Sequence, residues 1–177
     1  MDCSARAEQP HAVCVPTPAQ GHMNAMLQLA KLLHCRGFHI TFVHTDSTYN
    51  RILATSGPSS LAGLPGFCFD AIPDGLQSSD PINGEEIASL CDTVRNSLAK
   101  PFRELLKRLN ESRGPKVSCI VSDTFSSYTL EVAADLGIPD VSFCSVSACS
   151  FWGFFKYEEL MEKDIIPLKS KYMIIKW

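Results

Sequence analysis

Short apolar runs alternate along the chain with longer stretches whose apolar residues recur every three or four positions. His11-Ala12-Val13-Cys14-Val15 is such a run, stopped by Pro16-Thr17-Pro18, and reads as a buried strand leading into a loop. The loop continues through Ala19-Gln20-Gly21-His22. Met26, Leu29, Ala30 and Leu33 then fall at helical spacing and Gly37 supplies a stop, which predicts a helix from about Asn24 to Arg36. Phe38 to His44 reads as a second strand. Strand, helix and strand in so short a stretch form a right-handed crossover, which implies a parallel sheet with helices on its faces.

The same alternation runs on to the end. Asp46 to Pro65 is loop-like with one short helix, and Phe67 to Ile72 is a third strand closed by the turn Pro73-Asp74-Gly75. Glu85 to Leu109 is helical in composition, but Pro101 removes a helix donor, so two helices are expected there. Val117 to Ser122 is a fourth strand, Thr124 to Leu136 a helix stopped by Gly137, Val141 to Cys144 a fifth strand and Ala148 to Glu162 a last helix. The fold class is therefore α/β, a Rossmann-like doubly wound, mostly parallel sheet spanning residues 11–169, with 1–10 a flexible leader and 170–177 a tail that completes no element. In such sheets ligands bind beyond the carboxyl ends of the strands.

Composition narrows the function classes. A length of 177 residues suits one domain, and 45% hydrophobic with 20% charged residues is a globular composition. The formal net charge of -3, without a Lys/Arg run, excludes the electrostatic footprint of a nucleic-acid binder. The eight cysteines are scattered and form no CxxC pair, which argues against zinc. Cys14, Cys119 and Cys144 lie in apolar strand-like runs, where a reduced thiol acts as a small core hydrophobe. The first residues lack an apolar signal segment and no stretch is long enough to span a bilayer, so the expectation is a cytoplasmic chain without stable membrane insertion.

Two residues at strand ends could carry chemistry. His22 follows the first strand at the rim of the expected crevice, with Gly21 beside it able to let the backbone approach a ligand; the alternative is that His22 ties down the first turn of its helix. Asp123 follows the fourth strand, where it could cap the next helix or, facing the same crevice, orient the imidazole. Together they form a dyad able to deprotonate a hydroxyl, and no Ser or Cys nucleophile stands in an elbow motif. Ala148, Phe151, Trp152 and Phe155 form an apolar stripe on the last helix, open to a core or a pocket reading.

The run from His11 to Asn24, with its Pro16-Thr17-Pro18-Ala19-Gln20-Gly21-His22 segment, resembles the opening signature of the plant secondary-product UDP-glycosyltransferases. Gly37 to Val43, Ile72-Pro73-Asp74-Gly75-Leu76, Pro101 to Leu106, Cys119 to Asp123 and Ile165 to Leu168 resemble the same family in order. The resemblance implies one half of a GT-B architecture, the acceptor-binding one, with His22 as general base and Asp123 as its holder. It also implies that Phe125, Phe143, Ser147 and Trp152 line an acceptor cavity with Gly21. Ala25 departs from the family's common proline, and Thr124-Phe125-Ser126 departs from its usual sequence after the aspartate.

The family's donor motif begins with tryptophan and glutamine, and nothing after Lys169 resembles it; nor is there a glycine-rich phosphate loop. The expectation is that the C-terminal UDP-sugar domain is absent and that this chain binds no cofactor by itself, a UDP-sugar being the co-substrate of a complete family enzyme. The implied partners are a small apolar acceptor bearing a hydroxyl and, for a chain of this extent, a complete relative on which it could dock.

Overall fold

The computed structural model describes residues 9–75 and 97–166. The first of the two helices expected after Glu85, most of the leader and the 170–177 tail lie outside the described residues. Two compact units make up the chain, Met1–Ser145 and Val146–Trp177.

The first unit runs β1 (His11–Val15), α1 (Gln20–Cys35), β2 (His39–Thr45), α2 (Asp46–Ser56), a single 3-10 turn (Pro58–Leu61), β3 (Phe67–Ile72), α3 (Ala99–Glu111), β4 (Val117–Asp123), α4 (Tyr128–Leu136) and β5 (Asp140–Phe143). All strand pairs are parallel and the order is β3-β2-β1-β4-β5. From β1 the chain winds outward to β2 and β3, then returns to place β4 on the other side of β1. The carboxyl ends of β1 and β4 are therefore the topological switch point, where an open sheet leaves a crevice. Val15 of β1 stands opposite Ser122 of β4, so the residues that follow each strand emerge side by side.

Strand alternation divides the core into two layers. Val13 and Val15 of β1 join Val43, Ile120, Phe102, Leu106 and Val132 on the face covered by α3 and α4. Ala12 and Cys14 turn the other way, to Met26 and Ala30 of α1 and to Ile40 and Phe42. Burial pushes the Cys14 thiol up to about 12, so it packs as an unreactive hydrophobe. His11 is buried with both ring nitrogens paired, Nδ1 to the Pro115 carbonyl at 2.9 Å and Nε2 to Thr41 Oγ1 at 2.8 Å.

Boundaries depart from the sequence reading where local hydrogen bonds decide them. α1 begins at Gln20, with Met23 N–H bonded to the Ala19 carbonyl, so His22 sits inside the first turn and Ala25 in the second. A proline at position 25 would thus not preset the first turn. The 46–65 segment is not mostly loop: α2 runs for 11 residues, capped by the Thr45 hydroxyl and ended at Gly57, whose φ of 76° stops the ladder. As expected, the helical segment is interrupted just before Pro101: Ser97 is helical, Leu98 is a bend and α3 starts at Ala99, so Pro101 stands in the first turn of α3, where the missing N–H is an orphan anyway. α4 opens at Tyr128 instead of Thr124, because Asp123 still belongs to β4 and a turn closed by Ser126 N–H to Asp123 C=O intervenes. Gly137, at φ 65°, ends α4 in the left-handed cap that its position suggested.

Among the described residues of the second unit, the expected single helix is two, α5 (Ala148–Phe155) and α6 (Tyr157–Glu162), separated at Lys156. Within it Phe151 and Phe155 meet edge to face at 5.0 Å, and the Lys156 ammonium lies over Trp152 at 5.4 Å while bonding Glu159. Phe151, Trp152 and Phe155 are exposed, so the stripe does not form the buried core layer that its spacing allowed.

Phe102 is fully buried and meets Tyr128 edge to face at 5.8 Å, tying α3 to α4. Phe102→Ala is expected to cost about 3–5 kcal/mol in denaturant unfolding, at an unchanged m-value; a loss under 1 kcal/mol would mean that the layer collapses around the gap.

Candidate functional site

Asp123 ends β4 with its side chain 1% exposed, and a carboxylate so placed needs donors in place of water. Three converge on it. Thr17 Oγ1, two residues past β1, donates to Oδ1 at 3.0 Å, and the Phe125 N–H donates to the same oxygen at 3.1 Å. His22 Nδ1 donates to Oδ2 at 2.8 Å. The loop after β1, the first turn of α1 and the turn after β4 are thus fastened to one carboxylate at the switch point. Asp123 does not cap α4, whose N-cap position is Ser127.

The carboxylate can only accept, so the imidazole hydrogen resides on Nδ1 and the lone pair on Nε2. Ser145 Oγ, two residues past β5, lies 3.1 Å from Nδ1 as a second acceptor for that hydrogen. The His22 side chain is 23% exposed, enough for Nε2 to meet a ligand while Nδ1 stays engaged. This arrangement suits a base: the ring is held in one tautomer, and an imidazolium formed by taking up a proton would sit against a buried negative charge.

Beside the dyad is a cavity of about 750 Å³ between the β1–α1 loop, α1, α2 and the ends of β2 and β3. Its wall is largely apolar, formed by Met23, Leu27, Phe42, Ile52, Leu61 and Phe69, with His44, Arg51 and Thr17 among the polar residues. Volume and lining suit a small organic ligand. His22 is not among the lining residues. Its neighbours Gln20 and Met23 are, as is Phe125, whose ring meets the imidazole edge-on at 5.5 Å, so His22 stands at the cavity's border.

Of the other residues singled out in the sequence, Phe125 lines this cavity. Gly21 lies within α1, and a Cβ there would meet nothing within 4 Å, so no close backbone approach requires glycine. Phe143 packs instead with the layer under α1, and its carbonyl accepts from Thr124. Ser147 caps α5 by accepting the Ser150 N–H, and Trp152 carries Lys156; both belong to the second unit and neither lines the cavity. Thr17, Ser145, His44 and Arg51 were not anticipated. Thr17 and Ser145 could have been flagged as hydroxyls just past strand ends, but several serines share that description. Among the described residues no cluster of His, Cys, Asp or Glu could hold a metal ion, and no helix is long and apolar enough to cross a membrane.

Comparison with known proteins agrees with this fold. Residues 8–56 match the family model for the glycosyltransferase N-terminal domain. The chain is 52% identical over 166 residues to a 7-deoxyloganetin glucosyltransferase of Gardenia jasminoides, covering 92% of this chain and 34% of that one. It is 48% identical over 171 residues to an (R)-mandelonitrile beta-glucosyltransferase of Prunus dulcis, covering 96% and 35%. The chain thus spans about a third of the length of the curated relatives it matches. A UDP-glucosyltransferase of Polygonum tinctorium capable of glucosylating indoxyl shares the fold, with a TM-score of 0.66 at 23% identity over 90% of this chain and 35% of that one.

Burial pushes His44 from 6.5 down to about 4, so between those values the unfolded chain binds a proton that the folded chain refuses. Stability is therefore full above about pH 6.5 and falls as pH drops towards 4, with a deficit of about 2 kcal/mol at pH 5 from this residue. Buried His11 and half-buried His39 are lowered too and act in the same direction. Denaturant unfolding at pH 7 and pH 5 should show His44→Phe losing less than the parent by about that amount; equal losses would place the acid sensitivity elsewhere.

Proposed function

We propose, from the premise that this chain belongs to the plant UDP-glycosyltransferases as their N-terminal portion, that it binds a small apolar acceptor and supplies the base for its glycosylation. The observation that carries this reading is the 2.8 Å bond from His22 Nδ1 to Asp123 Oδ2 at the border of a mostly apolar cavity. An acceptor seated there presents a hydroxyl to His22 Nε2. The imidazole takes the hydroxyl proton as the acceptor oxygen attacks the anomeric carbon of a UDP-sugar. The bond from that carbon to the UDP oxygen breaks, and UDP leaves with the electron pair. Asp123 faces the imidazolium throughout, and its bonds from Thr17 and Phe125 hold it still, so little reorganisation is needed as charge develops. The UDP-sugar is the co-substrate, held by the portion of the relatives that this chain does not match. That these relatives are glucosyltransferases of small molecules makes glucose the expected sugar and small organic molecules the expected acceptor class.

The test is a fusion of this chain to the remaining portion of the Gardenia enzyme, assayed with UDP-glucose and a panel of small alcohols and phenols. His22→Ala is expected to lower kcat by about 10²–10⁴ while acceptor KM stays within a few-fold, because the lost interaction is made in the transition state. Asp123→Ala should lower kcat by less. A His22→Ala fusion that turns over at the parent rate would remove the base from this account.

A further inference from the structure

The wall of the cavity contains one polar group that the reaction leaves unused. His44, next to last in β2, is 7% exposed, and its Nδ1 is sealed from solvent with no hydrogen-bond partner among the described residues. The ring cannot turn to find one. It stacks on Phe69 at 5.9 Å with planes 11° apart, and it is held by Phe42 at 5.1 Å and by Tyr49 edge-on at 6.4 Å. A buried polar atom without a partner costs stability, and a ring fixed by an aromatic clamp in a cavity wall offers its other nitrogen as a preformed contact. An orphaned buried N–H is the costlier of the two possibilities, which favours the tautomer with Nδ1 bare and Nε2–H as the donor. Burial keeps the ring neutral at ordinary pH, so it retains that polarity.

His44 lines the cavity, whereas His22 stands at its border. His22 is bonded to the end of β4, whereas His44 extends from β2; the two strands flank β1 and so are roughly 10 Å apart across the sheet. Arg51 of α2 lines the same cavity and enters no ion pair among the described residues, so the surroundings of His44 favour an oxygen acceptor over a donor.

We infer that His44 is a specificity-determining residue, donating a hydrogen bond to a second oxygen of the acceptor on the far side of its ring system from the hydroxyl presented to His22. The inference rests on the acceptor reading of the cavity and adds the ligand class: rigid apolar acceptors with two oxygens at opposite ends. A ligand whose second oxygen accepts from Nε2–H keeps that donor paired, whereas one lacking it buries the donor against hydrocarbon, and sites built for a hydroxyl discriminate strongly for that reason.

Calorimetric titration of the 177-residue chain with 2-naphthol and with 2,6-naphthalenediol isolates this contact without turnover. The parent should bind the diol about tenfold more tightly, as expected for one hydrogen bond inside a site. His44→Phe, which keeps the aromatic packing but has no donor, should bind both within about twofold of each other, with 2-naphthol held at least as well as by the parent. His44→Gln, which restores a donor, should recover part of the preference; melting curves of each variant confirm folding. A diol preference that persists in His44→Phe, or a parent that binds both ligands equally, overturns the role of His44 and leaves the cavity reading standing. Binding of neither ligand by the parent overturns both.

Discussion

One buried carboxylate organises the working end of this protein. Asp123 is 1% exposed at the side chain, and an unpaired charge at that depth would be prohibitive, so the chain must bring donors to it. The donors come from two parts of the chain: the hydroxyl of Thr17 and the imidazole of His22 from the stretch that leads from β1 into α1, and the Phe125 N–H from the turn after β4. Satisfying the charge and positioning His22 are the same event. The strand order makes it possible, since β1 and β4 are neighbours although more than a hundred residues separate them.

The polar switch point and the apolar cavity divide the labour between the two flanks of β1. Towards β4 the hydrogen bonds are short and charged, and they fix one tautomer. Towards β2 and β3 the contacts are aromatic, with His44 stacked on Phe69 and Phe42 set at an angle against both rings. Apolar walls with few polar groups suit recognition by shape, and they also lower the local dielectric near the dyad, which strengthens its electrostatics. The contribution of α2 to this wall, through Arg51, Ile52 and Thr55, makes the segment after β2 part of the site instead of a connector.

Relatives roughly half identical to this chain are glucosyltransferases of different small molecules, and each is matched over about a third of its length. In this chain the bonds that hold His22 to Asp123 are separate from most of the cavity wall: Asp123 is met by Thr17, the Phe125 N–H and His22, none of which belongs to α2, β2 or β3.

Much of this protein was legible in the residues themselves. Period-two and period-3.6 patterns located all five strands and most helices, because burying one face of each element imposes that spacing. His22 and Asp123 stood out by position, since strand ends in a parallel sheet face the ligand crevice. Boundaries shifted wherever one local bond outweighed the pattern: the Thr45 cap created α2, and the turn at Asp123 delayed α4. What only the tertiary structure decided is which polar groups meet. Thr17 and Ser145 are ordinary hydroxyls until strand order sets them around His22 and Asp123, and His44 is an ordinary strand residue until Phe69 and Phe42 close on its ring. Periodicity reports which side of an element is buried; it carries no information about what the buried atoms touch, because that depends on the register between segments far apart in the chain.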